Sequence, residues 1–324
     1  MPVFDETATS EQVIEAFSSQ IKGRTFVITG AGHPSIGSQI AVSLARGAPA
    51  HILIASRTGK KVDPVLEKIA EIDSSIRTTF VQVDLTDHES VRRAAKEILA
   101  AAPKINVLIN SAGVMAIKDY TLDKQGIELQ LSANHVGHFL LTNLLAPALI
   151  AAGSEPGGAR VVNLTSSGFF LSPFRFDDWN YSGGKTYDHW TGYGQAKTAN
   201  VLFSYGLNKQ LGSHGVTSTA THPGYNNDTE LGSHLTYEDY AEIPEIVKRN
   251  TGKDWEWESP RSKTYTQIAA TSLIAALDPE IPAKSPAYLM NSQIHEAAPY
   301  ATDPENVEKL WKLSEELVKQ KFEY

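Results

Sequence analysis

A five-residue apolar run that stops at a glycine-rich turn and reopens as a helix constrains this chain more than any other stretch. Thr25-Phe26-Val27-Ile28-Thr29 is short, β-branched and ended by Gly30, as expected of a buried strand. Gly30-Ala31-Gly32-His33-Pro34-Ser35-Ile36-Gly37 then opens an apolar helix expected to reach about Arg46. Such a turn gathers backbone N–H groups beside a helix N-terminus, an arrangement that binds phosphate. Glycine permits the tight turn and lets a ligand approach the backbone closely. The plain alternative is an ordinary strand-to-helix connection. The position directly after the first strand of a regular alternation favours the phosphate site.

That alternation continues. A short amphipathic helix is expected over residues 10–20, before the first strand. His51–Ala55 reads as a second strand, Val62–Ile72 as a helix, Thr78–Val83 as a third strand ending at Asp84-Leu85. Asp87 is expected to cap a helix running to Ala102, and Asn106–Ile109 is a fourth strand ending in Asn110-Ser111-Ala112-Gly113. Strand, helix, strand, helix with short connections is the pattern of a doubly wound parallel sheet. Ligands bind at the carboxyl ends of such strands, where strand order reverses. Gly30, Arg57, Asp84 and Asn110 all fall at those ends.

The segment after the second strand bears on the ligand. In dinucleotide folds an acidic residue there binds the 2′-hydroxyl of NAD, whereas an Arg suits the 2′-phosphate of NADP. Here Ser56-Arg57-Thr58-Gly59-Lys60-Lys61 offers three cations and no carboxylate before Asp63, which favours NADP(H) over a merely solvated basic loop.

Further along, Thr121–Ile150 is expected to hold one or two helices with Asn134 in the middle. Asn is a poor interior helix residue, so it is expected to kink the helix, hold a water or make a plain polar contact. Arg160–Thr165 is a fifth strand ending in Ser166-Ser167, on the same edge as the glycine turn. Residues 168–192 form a long connection rich in Phe, Tyr and Trp, read either as a wall of a substrate pocket or as packing of a small lobe onto the body. A helix over Tyr193–Gln210, a strand over Val216–Thr221, a polar insertion from Tyr225 to Pro260 with the character of a lid, a helix over Lys263–Leu277, a short strand over Ala287–Met290 and a closing helix over Asp303–Lys321 complete the chain. The expected fold is one α/β domain: a doubly wound parallel sheet of about seven strands, helices on both faces, and a small substrate-side lobe built from insertions at 168–192 and 225–262.

Composition removes several function classes. There are no cysteines, so disulfides, thiol nucleophiles and thiolate metal sites are excluded. A net charge of −8 argues against nucleic-acid binding and against adhesion to an anionic membrane. The acidic, polar start does not read as a signal peptide. The run Phe139–Ala152 is shorter than the roughly 18 residues a membrane span requires. A soluble, cytoplasmic protein without membrane insertion is the expectation.

Tyr193-Gly194-Gln195-Ala196-Lys197 places a phenol and an ammonium on one helix face. A Tyr normally holds its proton with a pKa of roughly 10. A nearby cation lowers that value and fits the phenol to exchange a proton with a carbonyl or alcohol.

Taken with Thr29-Gly30, Ile36-Gly37, Asp84-Leu85, Asn110-Ser111-Ala112-Gly113, Asn134, Ser166 and Pro223-Gly224, this pair resembles the short-chain dehydrogenase/reductase superfamily, over about residues 20–300. The runs Asn134–Thr142 and Tyr193–Asn200 resemble its retinol-dehydrogenase-like branch and fungal oxidoreductase relatives. The resemblance implies a Rossmann-type fold and NADP(H)-dependent interconversion of a carbonyl and an alcohol. It implies Tyr193 as general acid/base and Lys197 as the cation that depresses Tyr193 and holds the nicotinamide ribose. Ser166, with Ser167 as the adjacent register, would orient the substrate oxygen, and Asn134 would hold a relay water. Gly30, Ser35, Ile36, Gly37, Arg57, Asp84, Leu85, Asn110, Ala112, Gly113, Pro223, Gly224 and Thr229 would bind the cofactor beside Tyr193 and Lys197. Two departures stand out: the Gly30–Gly37 turn is one residue longer than the family pattern, with Ser35 at the middle glycine, and the segment from Pro223-Gly224 to Thr229 is also one residue longer than that pattern. Oligomers are common in the superfamily, but the sequence fixes no state. Reduction of C=C or C=N, a non-redox step, or non-catalytic NADP(H) binding are the alternatives on the same fold.

Overall fold

The computed structural model describes residues 3–324. Its strands are β1 (Thr25–Thr29), β2 (His51–Ser56), β3 (Arg77–Gln82), β4 (Val107–Asn110), β5 (Ala159–Leu164), β6 (Val216–Thr221), β7 (Ala287–Met290) and β8 (Gln293–His295). They form one sheet in the order β3-β2-β1-β4-β5-β6-β7-β8. All neighbours from β3 to β7 are parallel; β8 returns antiparallel on β7. The sheet is therefore doubly wound, with its switch between β1 and β4, and has eight strands rather than about seven.

Strands with helices on both sides read as continuous apolar runs because both faces are buried. Alternate residues divide between two cores. Val27, Leu53, Leu108 and Val161 face a core shared with α4 (His88–Ala101), α6 (Gly137–Gly153), α7 (His189–Leu211) and α12 (Pro304–Val318). Phe26, Ile28, Ile52, Ile54 and Val162 face the opposite core, made with α1 (Ser10–Phe17), α2 (Ile36–Ala45), α3 (Gly59–Ile72) and α10 (Tyr265–Leu277). Asp87 caps α4 as expected, accepting from the N–H groups of Glu89 and Ser90. The remaining helices are α5 (Leu129–Leu131), α8 (Tyr237–Ala241), α9 (Ile243–Thr251) and α11 (Ile281–Lys284).

The helical region around Asn134 differs from expectation in an instructive way. Residues 121–128 are not helical; Leu122 and Glu128 form an isolated antiparallel bridge. From Leu129 the chain turns helically, widens into a π turn over Ser132–Val136, and continues as α6. An Asn inside the apolar stretch thus marks a local widening. The joined stretch Leu129–Gly153 is 25 residues, long and apolar enough to cross a membrane by length and composition. The shorter run Phe139–Ala152 understates it because the helix begins ten residues earlier. In the structure 72% of its most apolar window is buried inside the protein, the behaviour of a core helix.

Candidate active site

The carboxyl ends of the strands open into a cleft of about 830 Å³. At its centre the β1 turn is held too tightly for any side chain. Gly30 has φ +68°, and a Cβ there would lie 2.5 Å from the Ala112 Cα. Ser35 takes the place of a middle glycine by bracing the turn. Its hydroxyl donates to the Gly30 carbonyl and accepts from the Ser38 N–H, both at 3.0 Å, and so caps α2. The extra length is taken up beside it, where the His33 N–H donates to the Lys61 carbonyl at 2.7 Å. The lengthened turn therefore keeps its fold and still presents the N-terminus of α2 to the cleft.

Of the expected site residues, Gly30, Ser35, Ile36, Arg57, Asp84, Leu85, Ala112, Gly113, Ser166, Tyr193, Lys197, Pro223, Gly224 and Thr229 line this cleft. Gly37, Asn110 and Asn134 do not. Gly37 is buried, and a Cβ there would sit 3.0 Å from the Gly30 carbonyl oxygen, so it sets how closely α2 packs on the turn. Asn110 is a brace between strands and helix: its amide donates to Thr142 Oγ1 at 3.0 Å and to Asn163 Oδ1 at 2.8 Å. Asn134 is fully buried with its side chain engaged by protein. Its Oδ1 accepts from the Val114 N–H, and its amide donates to the carbonyls of Val114 and Gln130. Its own carbonyl accepts from His138 Nδ1 at 2.9 Å. Asn134 thus supports the loop after β4.

His138 had no assigned role in the sequence. Its Nε2 lies 2.8 Å from Thr29 Oγ1, which accepts the N–H groups of Ser111 and Ala112. With both lone pairs so used, Thr29 donates its hydrogen to His138 Nε2, and Nδ1 carries the proton given to Asn134. One buried neutral imidazole therefore ties β1, the end of β4 and the π turn together. Burial, opposed by the Asn134 bond and assisted by the Lys197 charge, lowers its pKa to about 4.

Tyr193 and Lys197 lie one turn into α7, whose N-terminus is capped by Asp188. The ammonium is 5.6 Å from the Tyr193 ring centroid and donates to the Leu164 carbonyl at 3.3 Å. Ser166 Oγ accepts from the Gly168 N–H at 3.0 Å, and Ser166 and Tyr193 line the cleft together. Ser166 lines the cleft and Ser167 does not. Gly168 is obligatory beneath the ring, since a Cβ would meet Tyr193 Cε1 at 2.5 Å.

Burial pushes the Tyr193 hydroxyl well above its ordinary value, with the Ser166 side chain pulling the other way. Burial also lowers Lys197 to about 8, which weakens it as a cation. The phenol accordingly holds its proton at neutral pH.

The substrate half of the cleft has an apolar floor of Met115, Ile117, Leu129 and Ala133. Leu231, His234 and Tyr240 also line it, from the 225–262 insertion that carries α8 and α9, the segment expected to act as a lid. The aromatic connection 168–192 is not a wall of the cleft. Phe169 and Tyr181 are fully buried, Phe174 joins the core under α6 and α7, and Trp190 packs on Tyr240 and donates to the Asp239 carbonyl. These rings pack the lobe onto the body and give the lid its footing. Tyr225 and His222, both lining the cleft, carried no sequence assignment.

Known proteins agree with this architecture. The family model described as short chain dehydrogenase matches residues 24–239. The chain is similar to retinol dehydrogenase 12 of Mus musculus, at 35% identity over 92% of this chain and 87% of that one. It is also similar to oxidoreductase fscI of Fusarium equiseti, at 34% identity over 68% of this chain and 95% of that one. Among solved structures, a putative uncharacterized protein from Mycobacterium paratuberculosis superimposes with a TM-score of 0.64 at 27% identity, covering 95% of this chain and 99% of that one. The glycine turn at the strand-order switch, the Ser166–Tyr193–Lys197 cluster and these likenesses lead to one assignment: the chain belongs to the short-chain dehydrogenase/reductase family and is an oxidoreductase of that family.

Proposed function

We propose that the protein is an NADP(H)-dependent reductase of a carbonyl on a sizeable apolar or aromatic small molecule. The observation that carries this reading is the convergence of Ser166, Tyr193 and Lys197 on one cleft with the Gly30 turn, where a Cβ would lie 2.5 Å from the Ala112 Cα. The residues present fit a nicotinamide dinucleotide: the Gly30 turn and the N-terminus of α2 suit its diphosphate, and Arg57 and Lys61 line the cleft where a 2′-phosphate would lie. When bound, the cofactor supplies or accepts hydride. Ser166 orients the substrate oxygen. Tyr193, protonated at neutral pH, gives its proton to the alkoxide that develops there. Lys197 holds the ribose hydroxyls and remains charged below about pH 8. The floor of Met115, Ile117, Leu129 and Ala133 favours apolar substrate bodies, and the retinol in the mouse relative's name points the same way.

The test is NADPH and NADH consumption with a panel of ketones and aldehydes. Turnover with a higher kcat/KM for NADPH, abolished in Tyr193→Phe while NADPH binding is retained, supports the reading. Unchanged turnover in Tyr193→Phe refutes the mechanism, and equal or reversed cofactor preference refutes the role of Arg57.

A further inference from the structure

The lid reaches the catalytic serine through a buried pair that the chemistry above does not use. His222 follows β6 directly and is 2% exposed. Its Nδ1 accepts the Ser167 N–H at 3.0 Å. A ring nitrogen that accepts carries no hydrogen, so the ring hydrogen sits on Nε2. Nε2 in turn lies 2.7 and 2.8 Å from the two carboxylate oxygens of Glu258. Both ring nitrogens are therefore committed, one to the backbone beside Ser166 and one to the lid.

Glu258 belongs to the returning arm of the lid, 36 residues beyond His222. Its side chain is only 13% exposed. Burial pushes its carboxyl up, but the His222 and Ser167 contacts and the charge of Lys263 hold it below its ordinary value. Lys263 is fixed separately, donating to Asn291 Oδ1 at 2.5 Å. Glu258 does not line the cleft, so it reaches the substrate only through His222.

The peptide that His222 holds joins Ser166 to Ser167. Ser166 is also the N-cap of the 3₁₀ turn Ser167–Leu171, its oxygen tied to the Gly168 N–H. Orientation of the Ser166 hydroxyl thus rests on the Gly168 N–H and, through the following peptide, on His222.

We propose that Glu258 and His222 are positioning residues that make the orientation of Ser166 depend on a seated lid. With the lid down, Glu258 fixes the tautomer and ring plane of His222, and His222 fixes the Ser166–Ser167 peptide. With the lid lifted, the imidazole is free to turn and the serine loses one of these two restraints. Substrate enclosure and polarisation of the carbonyl are then one event. The proposal rests on the assignment of Ser166 as the group that orients the substrate oxygen.

The experiment compares wild type, Glu258→Ala and Glu258→Gln, with kcat on a carbonyl found in the panel, NADPH dissociation constants, and amide hydrogen exchange at Ser167 and Gly168. Support is a fall in kcat of about ten- to a hundredfold in Glu258→Ala with unchanged NADPH affinity, faster exchange at both amides, and recovery of at least half the lost activity in Glu258→Gln, which keeps an acceptor oxygen. Wild-type kcat and exchange in Glu258→Ala overturn the proposal. So does a loss of NADPH affinity in parallel with kcat, which is the mark of general unfolding of the lid. If no carbonyl in the panel turns over, the reductase reading fails, while the exchange measurement still decides whether Glu258 restrains the Ser166–Gly168 backbone.

Discussion

Gly168→Ala is the smallest change that should separate the geometry of this site from its composition. The added Cβ would lie 2.5 Å from Tyr193 Cε1, 2.9 Å from Cδ1 and 3.2 Å from Ser166 Oγ. Carbon atoms in good contact stand about 3.5–4.0 Å apart, so the ring must retreat by about 1 Å. Trp190 packs at its edge, with centroids 6.3 Å apart, and Tyr193 lines the cleft, so the ring can yield only toward the cleft. Gly168 is not in the left-handed region, so alanine suits its backbone and the cost is contact alone. Overpacking of this kind destabilises by about 1–3 kcal/mol. A shift of about 1 Å in a reacting group costs about a hundredfold in rate. The expected result is kcat down about a hundredfold, NADPH affinity unchanged and a modestly lower melting temperature. Gly212→Ala is the control, since nothing lies within 4 Å of its added Cβ. A kcat within twofold of wild type in Gly168→Ala would falsify the claim that the placement of the Tyr193 ring limits catalysis.

Two further outcomes depend on pH. Burial lowers Lys197 to about 8, so its ribose-holding charge is lost as pH rises through that value, and kcat/KM for reduction should fall on an alkaline limb near pH 8. Lys197→Arg, charged throughout, should remove that limb whatever its absolute rate; an unmoved limb would assign it to another group. Glu128 is buried while capping α5, and burial, opposed by the Gln130 and Leu131 N–H groups, raises it to about 7 from 4.5. A raised folded-state pKa contributes stability that is full below pH 4.5 and lost as pH rises through about 7, on the order of 3 kcal/mol. The stability difference between wild type and Glu128→Gln, followed by urea denaturation, should therefore shrink between pH 5 and pH 8; a constant difference would mean that Glu128 does not titrate in this window.

What was readable in the sequence, and what was not, follows from the range of the interactions. β1, β6 and β7 lie where the sequence places them because each is an apolar or β-branched run that fills a parallel sheet. β8 escaped because three residues, Gln293-Ile294-His295, are too few to show alternation, and two of them are exposed. The helix expected from Thr121 begins only at Leu129, because Asp123 accepts the N–H groups of Gln125 and Ile127 and closes a turn there. Tyr193, Lys197 and Ser166 were legible because their chemistry is local to a helix face and a strand end. His138 and His222 were not, since a histidine in a mostly apolar setting reads as core until its partners are known. Those partners lie 109 residues away at Thr29, and 55 and 36 residues away at Ser167 and Glu258. The aromatic connection kept two readings, pocket wall or lobe packing, for the same reason: sequence shows that the rings are large, and only tertiary packing shows which way they face.

The π turn at Ser132–Val136 can be understood as a change of phase. An α-helix advances 100° per residue, so one extra residue in a turn rotates everything before it relative to everything after it by about that angle. The phase upstream and at the start of the turn puts Leu129 and Ala133 on the cleft. The downstream phase puts Phe139 against Phe203 and Trp311, with ring centroids 5.4 and 5.0 Å away. A uniform helix of this length would keep one registry and could satisfy only one of these surroundings. Deleting a single residue from 132–136 would leave composition and hydrophobicity nearly intact and yet swing either the substrate floor or the core out of alignment.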